Sequence, residues 1–137
     1  IREVPVCSNT FAEQEGSIKT YRQLEKYPLI GLGRNTASYG FYSDFFKKMG
    51  LSFEPDVEAA TADQILPMIR SDLGIGFVPL DFLGKTDNGS LKVLDISPAV
   101  PERNICLLKR KGISAGIAAG EIEKMIRSNI KSTEDTE

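Results

Sequence analysis

The sequence predicts an α/β domain, with a mixed, parallel-dominated sheet flanked by helices. Three observations carry this. Short apolar runs bounded by turn residues recur at 27–32 and 73–79, with the length and composition of buried strands. Between them lie two segments, 39–49 and 61–69, whose apolar residues return at helical spacing. The connections are short, and strand alternating with helix implies parallel neighbours, because parallel strands need a crossover element.

Residues 1–11 read as extended, with Val4, Val6 and Phe11 as apolar positions. Residues 12–26 are polar, broken by Gly16, with a short helix at 21–25. Tyr27-Pro-Leu-Ile-Gly-Leu32 is the first buried strand, and 33–38 is the loop after it. Helix 39–49 turns Phe41, Phe45, Phe46 and Met49 inward and stops at Gly50. Residues 53–59 read as a strand through Phe53 and Val57.

Thr61-Ala-Asp-Gln64 matches a capping box, in which Thr61 and Gln64 satisfy free N–H groups at a helix start. Ile65, Leu66, Met68 and Ile69 form the face of that helix, and Pro67 sits early in it, where a missing N–H costs least. Leu73-Gly-Ile-Gly-Phe-Val-Pro79 is the third strand, followed by a turn at 85–89 and strands at 91–96 and 103–109. Helix 114–130 points Ala118, Ile122, Met125, Ile126 and Ile130 inward and pairs Glu123 with Arg127 outside. Residues 131–137 read as a disordered acidic tail. No internal repeat or low-complexity stretch is present.

The 137 residues suit one domain, and 41% hydrophobic with 26% charged residues is ordinary for a globular chain. A net charge of -2 argues against this chain itself gripping nucleic acid, which needs clustered Lys and Arg. No apolar run approaches the roughly 18 residues of a membrane helix. No secretion signal is visible, but the chain begins at Ile1 inside an alternating segment and reads as a fragment lacking its N-terminal part.

Histidine is absent, which removes Ser-His-Asp and Cys-His catalysis and every His-containing metal site. Cys7 and Cys106 make no zinc signature and read as free structural thiols. Asp44, Asp56, Asp63 and Asp72 are scattered and read as solvated or capping carboxylates. The expectation is a non-enzyme with no catalytic residue, no metal and no cofactor.

Open α/β sheets bind ligands beyond the carboxyl ends of their strands. Two strand-to-helix junctions meet that description, 33–38 and 60–62. Each offers backbone N–H groups at the positive end of a helix plus hydroxyls, from Thr36 and Ser38 in the first and Thr61 in the second. That combination favours a carboxylate or phosphate. Arg34 adds a charge, and Asn35 stands beside it. The plainer reading is that Ser and Thr simply cap helices and that Arg34 is a solvated charge. Gly31-Leu-Gly33 and Gly74-Ile-Gly76 are not nucleotide loops: the first lacks the third glycine, and the second opens a strand instead of following one.

Read in order, Leu24-Glu-Lys-Tyr-Pro-Leu-Ile30, Asn35-Thr36, Phe45 to Gly50, Ala60-Thr-Ala-Asp63, Leu73-Gly-Ile-Gly-Phe-Val-Pro79 and Arg103-Asn-Ile105 resemble the effector-binding domain of LysR-type transcriptional regulators. The resemblance runs from about residue 4 to 130. It implies a fold like type II periplasmic binding proteins, two α/β subdomains with the effector between them. Residues 1–111 would be the second subdomain with its leading crossover strand, and 112–130 the closing helix of the first. Family positions lining the cleft fall on Arg34, Asn35, Thr36, Ser38 and Thr61. Tyr39 and Tyr42 would lie at a subunit contact. One position departs: the family commonly has Gly where this chain has Asp72, a residue that tolerates a left-handed cap.

The resemblance therefore implies an effector-sensing regulatory domain of a bacterial, cytoplasmic transcription factor. It would bind a small, anionic molecule and modulate a dimer or tetramer. DNA would be met only through an N-terminal helix-turn-helix outside this chain, and membranes not at all. The alternative is the solute-binding component of a transporter, which a secretion signal or lipid-anchored Cys upstream would favour.

Overall fold

The structure, a computed structural model, describes residues 1–15, 17–84, 89–112 and 116–134. It divides into two compact units, 1–105 and 106–137.

In the first unit, the alternating start of the chain becomes β1 (Glu3–Ser8), buried along its whole length. The extended run ends at Ser8 instead of continuing to residue 11. The Ser8 hydroxyl accepts the Phe11 N–H at 3.0 Å, which starts α1 (Asn9–Glu15). Thr20 and Gln23 form a capping box that starts α2 (Tyr21–Leu24), whose Tyr21 and Leu24 are buried.

The expected strand-helix alternation follows: β2 (Leu29–Leu32), α3 (Ala37–Lys48), β3 (Val57–Ala59), α4 (Ile65–Arg70) and β4 (Ile75–Pro79). β3 is shorter than the apolar pattern over 53–59. Pro55 cannot donate to a ladder, and the Asp56 carboxylate takes the Leu29 N–H at 2.9 Å. β5 (Leu91–Val93) closes the sheet. The turn expected at 85–89 lies outside the described residues except for Gly89.

The strand order is β3-β2-β4-β1-β5. β2 pairs in parallel with β3 and β4, whereas β1 lies antiparallel between β4 and β5. Four strands therefore run one way and β1 alone runs the other, the parallel-dominated mixed sheet that the sequence predicts.

Alternate residues feed two cores. On one face Cys7, Leu29, Ile75 and Phe77 meet α2 and α3 through Tyr21, Leu24, Phe45 and Phe46. On the other, Val4, Val6, Ile30 and Val78 meet Ile65, Leu66 and Ile69 of α4. Covered faces explain why the central strands read as continuous apolar runs.

Both crossover helices end in the same way. Gly50, at φ +71, closes α3 with Leu51 N–H on Phe46 O and Gly50 N–H on Lys47 O. Asp72, at φ +59, closes α4 with Leu73 N–H on Met68 O and Asp72 N–H on Ile69 O. The turn survives without glycine, and the Ser8 hydroxyl donates to the Asp72 carboxylate across the chain.

The strand expected at 103–109 does not form. Ile105, Leu107 and Leu108 are exposed, and without a ladder partner an extended segment gains no strand hydrogen bonds. In the second unit α5 (Ile117–Glu134) carries the expected Glu123–Arg127 pair at 3.0 Å, joined by Lys109 at 3.0 Å. Ala118, Ile122, Met125 and Ile130 of its apolar stripe are exposed and Ile126 is half-buried. Both cysteines are free thiols, Cys7 buried and Cys106 exposed, and burial pushes the Cys7 thiol up.

Candidate functional site

A cavity of about 200 Å³ opens at the carboxyl ends of β2 and β4. Ile30, Gly31 and Leu32 of β2 and Phe77 and Pro79 of β4 line it. Ser38 of α3, with Ala62 and Ile65 from the second junction, completes one side. Because β1 runs backward beside β4, its start also reaches this end, bringing Ile1 and Glu3 into the lining.

Arg103 lines the cavity as well. Its backbone N–H donates to Ile1 O at 3.0 Å, and the Ile1 amino group donates back to Arg103 O. That exchange holds the guanidinium beside β1. Arg103 Nη2 lies 2.6 Å from Glu3 Oε2, and Nη1 donates to Ser38 Oγ at 3.1 Å. Its guanidinium carbon sits 4.8 Å from the Phe41 ring centroid, within cation–π range.

The cluster is incompletely satisfied. Glu3 is only 7% exposed and Tyr42 only 6%, yet Glu3 Oε2, the Tyr42 hydroxyl and Arg103 Nε lack an aligned hydrogen bond among the described residues, although the hydroxyl lies within interacting range of the Glu3 carboxylate. The Glu3–Arg103 contact is thus a close ion pair without hydrogen-bond alignment. Burial first, then the Glu3 carboxylate, raise the Tyr42 pKa far above the usual phenol range, so the hydroxyl stays protonated.

Of the residues singled out from sequence, Ser38 lines this cavity, and Thr61 lies next to its lining residue Ala62. Arg34, Asn35, Thr36 and Thr61 do not line it. Thr36 is the N-cap of α3, with Oγ1 accepting the Tyr39 N–H at 3.1 Å and donating to Gly33 O at 2.8 Å. Arg34 is exposed, 5.7 Å from the Tyr39 ring centroid, and Asn35 is exposed. Thr61 precedes a 3-10 turn at Ala62–Gln64 and makes no side-chain cap bond. The Gln64 side chain takes the Ala60 N–H at 3.0 Å, one residue before the N-cap, so neither arm of the expected capping box forms.

Tyr42 is not a surface residue. It packs on Phe53 and Phe77 at 5.3 and 4.7 Å between centroids, which removes it from the expected subunit contact. Sequence reading missed Glu3, Tyr42 and Arg103 as site residues. Arg103 carried one signal, its place in the Arg103-Asn-Ile105 element, but Glu3 carried none.

A parallel-dominated sheet with a cavity at its carboxyl edge, walled by a helix N-terminus and an ion pair, is the arrangement in which open α/β modules hold ligands. The LysR substrate binding domain family matches residues 2–128, and the chain belongs to that family. A search of curated proteins gave no match. Among solved structures, the regulatory domain of CcmR from Synechocystis PCC6803, in complex with 2-PG, is similar at TM-score 0.71 and 13% identity, over 93% of this chain and 62% of that one. The effector binding domain of QuiR in complex with shikimate is similar at TM-score 0.56 and 16% identity, over 74% of this chain and 47% of that one. The regulatory domain of CrgA from Neisseria meningitidis gives 0.55 and 16%, over 74% and 50%. The chain thus spans about half to three fifths of the length of these neighbours. At such identities the likeness is one of fold, that of LysR substrate-binding domains with the type II periplasmic-binding-protein architecture.

Proposed function

We propose that this chain is part of the effector-sensing domain of a LysR-type transcriptional regulator, binding a small anionic molecule and performing no catalysis. The observation that carries this is the cavity at the carboxyl ends of β2 and β4, with Ser38 at the start of α3 in its wall. The first N–H groups of a helix have no intrahelical partner and sit at its positive end, so an anionic group gains there. Effectors bound to two structural neighbours, 2-PG on CcmR and shikimate on QuiR, support a small-molecule ligand.

The effector contacts proposed are Ser38 and, around the rim, Arg34, Asn35, Thr36 and Thr61. Residues 1–111 act as the second subdomain, and 112–130 return toward the first, whose surface covers the apolar stripe of α5. Effector binding favours one arrangement of a dimer or tetramer over another, which requires different effector affinity in the two states. DNA is contacted through a helix-turn-helix elsewhere in a cytoplasmic protein. No helix among the described residues is long and apolar enough to cross a membrane.

The test is effector-dependent melting of the intact protein against a metabolite panel. A hydrogen bond from Thr61 contributes about 1 kcal/mol, so Thr61→Val should weaken the responding effector about fivefold. An unchanged shift in Thr61→Val removes Thr61 from the site, and a panel without any response removes the sensing role.

A further inference from the structure

Resting on the effector-binding reading above, the geometry points to Glu3 and Arg103 as a paired specificity device that selects ligands carrying a hydrogen-bond donor beside an anionic group. Both side chains line the same cavity. Their charges cancel at 2.6 Å, so a bare anion gains from Arg103 little more than it loses against Glu3. A bare cation meets the reverse. A ligand bearing both an anionic group and a donor, either a hydroxyl or an ammonium, matches both members.

The unsatisfied atoms specify the complement. Glu3 Oε2 has Arg103 Nη2 at 2.6 Å but no aligned hydrogen bond, and Arg103 Nε is a buried donor without an acceptor. The Tyr42 hydroxyl, kept protonated by burial and by Glu3, completes the set. Apart from Ser38, whose Oγ accepts from Arg103 Nη1, the side chains of the remaining lining are apolar, including Ile30, Leu32, Ile65, Phe77 and Phe82, so the polar contacts converge on one wall. Site selectivity is strongest where a missing ligand group leaves buried polar atoms unpaired.

Three probes on one carbon skeleton separate the possibilities: propionate, lactate and alanine, titrated against the intact protein by ligand-observed saturation-transfer NMR. The expected result is that lactate or alanine binds at least about tenfold more tightly than propionate, the ratio a hydrogen bond to a charged group supports. Lactate ahead identifies a hydroxyl ligand, and alanine ahead an ammonium. Glu3→Gln should erase the preference and tighten propionate, because Arg103 is released, an inverse effect that loss of structure does not produce. Tyr42→Phe keeps the buried ring and should lower the ratio severalfold, which provides a second variant if Glu3→Gln fails to fold. Equal binding of the three probes to the wild type overturns this inference and leaves the effector reading standing. A preference that survives Glu3→Gln in a folded protein overturns it too. No saturation transfer to any of the three overturns this inference.

Discussion

Replacing Arg103 with leucine tests whether this cluster is also structural. The variant keeps much of the apolar stem and removes the charge. Glu3, 7% exposed, is then left without its cation, while Arg103 itself is 29% exposed in the wild type. Breaking a fully buried pair on one side costs about 3–5 kcal/mol, and water reaching the exposed arginine end lowers that. The lost bond to Ser38 Oγ and the stacking over Phe41 add roughly 1 kcal/mol each. The expected net cost is about 2–4 kcal/mol. At about 4 °C per kcal/mol for a unit of this size, the melting midpoint falls by about 8–16 °C.

The chain has no tryptophan, so urea and thermal unfolding are followed by far-UV circular dichroism. Because the cost arises from an orphaned carboxylate, the Glu3→Gln/Arg103→Leu double variant should be more stable than Arg103→Leu alone by at least about 1 kcal/mol. A single-variant cost under about 1 kcal/mol, or a double variant equal to the sum of the singles, would refute the reasoning.

Other substitutions follow from particular contacts. Ser8→Ala removes both the Phe11 N–H acceptor and the donor to Asp72 and should cost about 1–2 kcal/mol in urea unfolding. Asp72→Gly loses the Ser8 bond but relieves the left-handed backbone, so it should stay within about 1 kcal/mol of wild type; equal losses in the two variants would undo this account. Gly74→Ala would overlap the Pro28 carbonyl oxygen at φ +148, and a cost of at least about 3 kcal/mol is expected, which a wild-type urea midpoint would contradict. Tyr21 donates to Pro98 O at 2.8 Å, and burial pushes its phenol up to about 12. Spectrophotometric titration should therefore show one tyrosine ionising near 12. The folded pKa lies above the unfolded one, so the associated stability is full below pH 10 and is lost as pH rises toward 12. Titration of all tyrosines together near pH 10 in the folded protein would contradict it.

How much of this was legible in sequence depended on how local the cause was. β2, α3, α4 and β4 declared themselves because each buries its own periodic set, such as Phe45 and Phe46 in α3 or Ile65, Leu66 and Ile69 in α4. α1 did not, because Asn-Thr-Phe-Ala-Glu-Gln-Glu is polar and offers only Phe11 and Ala12 to the core; its one signal was Ser8, three residues before Phe11, acting as an N-cap. Residues 103–109 failed in the opposite sense, carrying apolar residues but no neighbouring strand.

The site divides along the same line. Ser38 was within reach because a strand followed by a helix start is a local pattern with a known electrostatic consequence. Glu3 and Arg103 stand a hundred positions apart, and no spacing rule joins them. What joins them is topology: β1 runs against β4, which places residue 3 opposite Pro79 at the carboxyl edge, and the backbone exchange between Ile1 and Arg103 then brings the guanidinium to the carboxylate. The burial of Glu3 at the head of an apolar strand shows only in the fold, where a carboxylate so placed needs a partner that the sequence does not name. Arg103 is the cation it meets, and which ligand group it serves is what the titration of propionate, lactate and alanine decides.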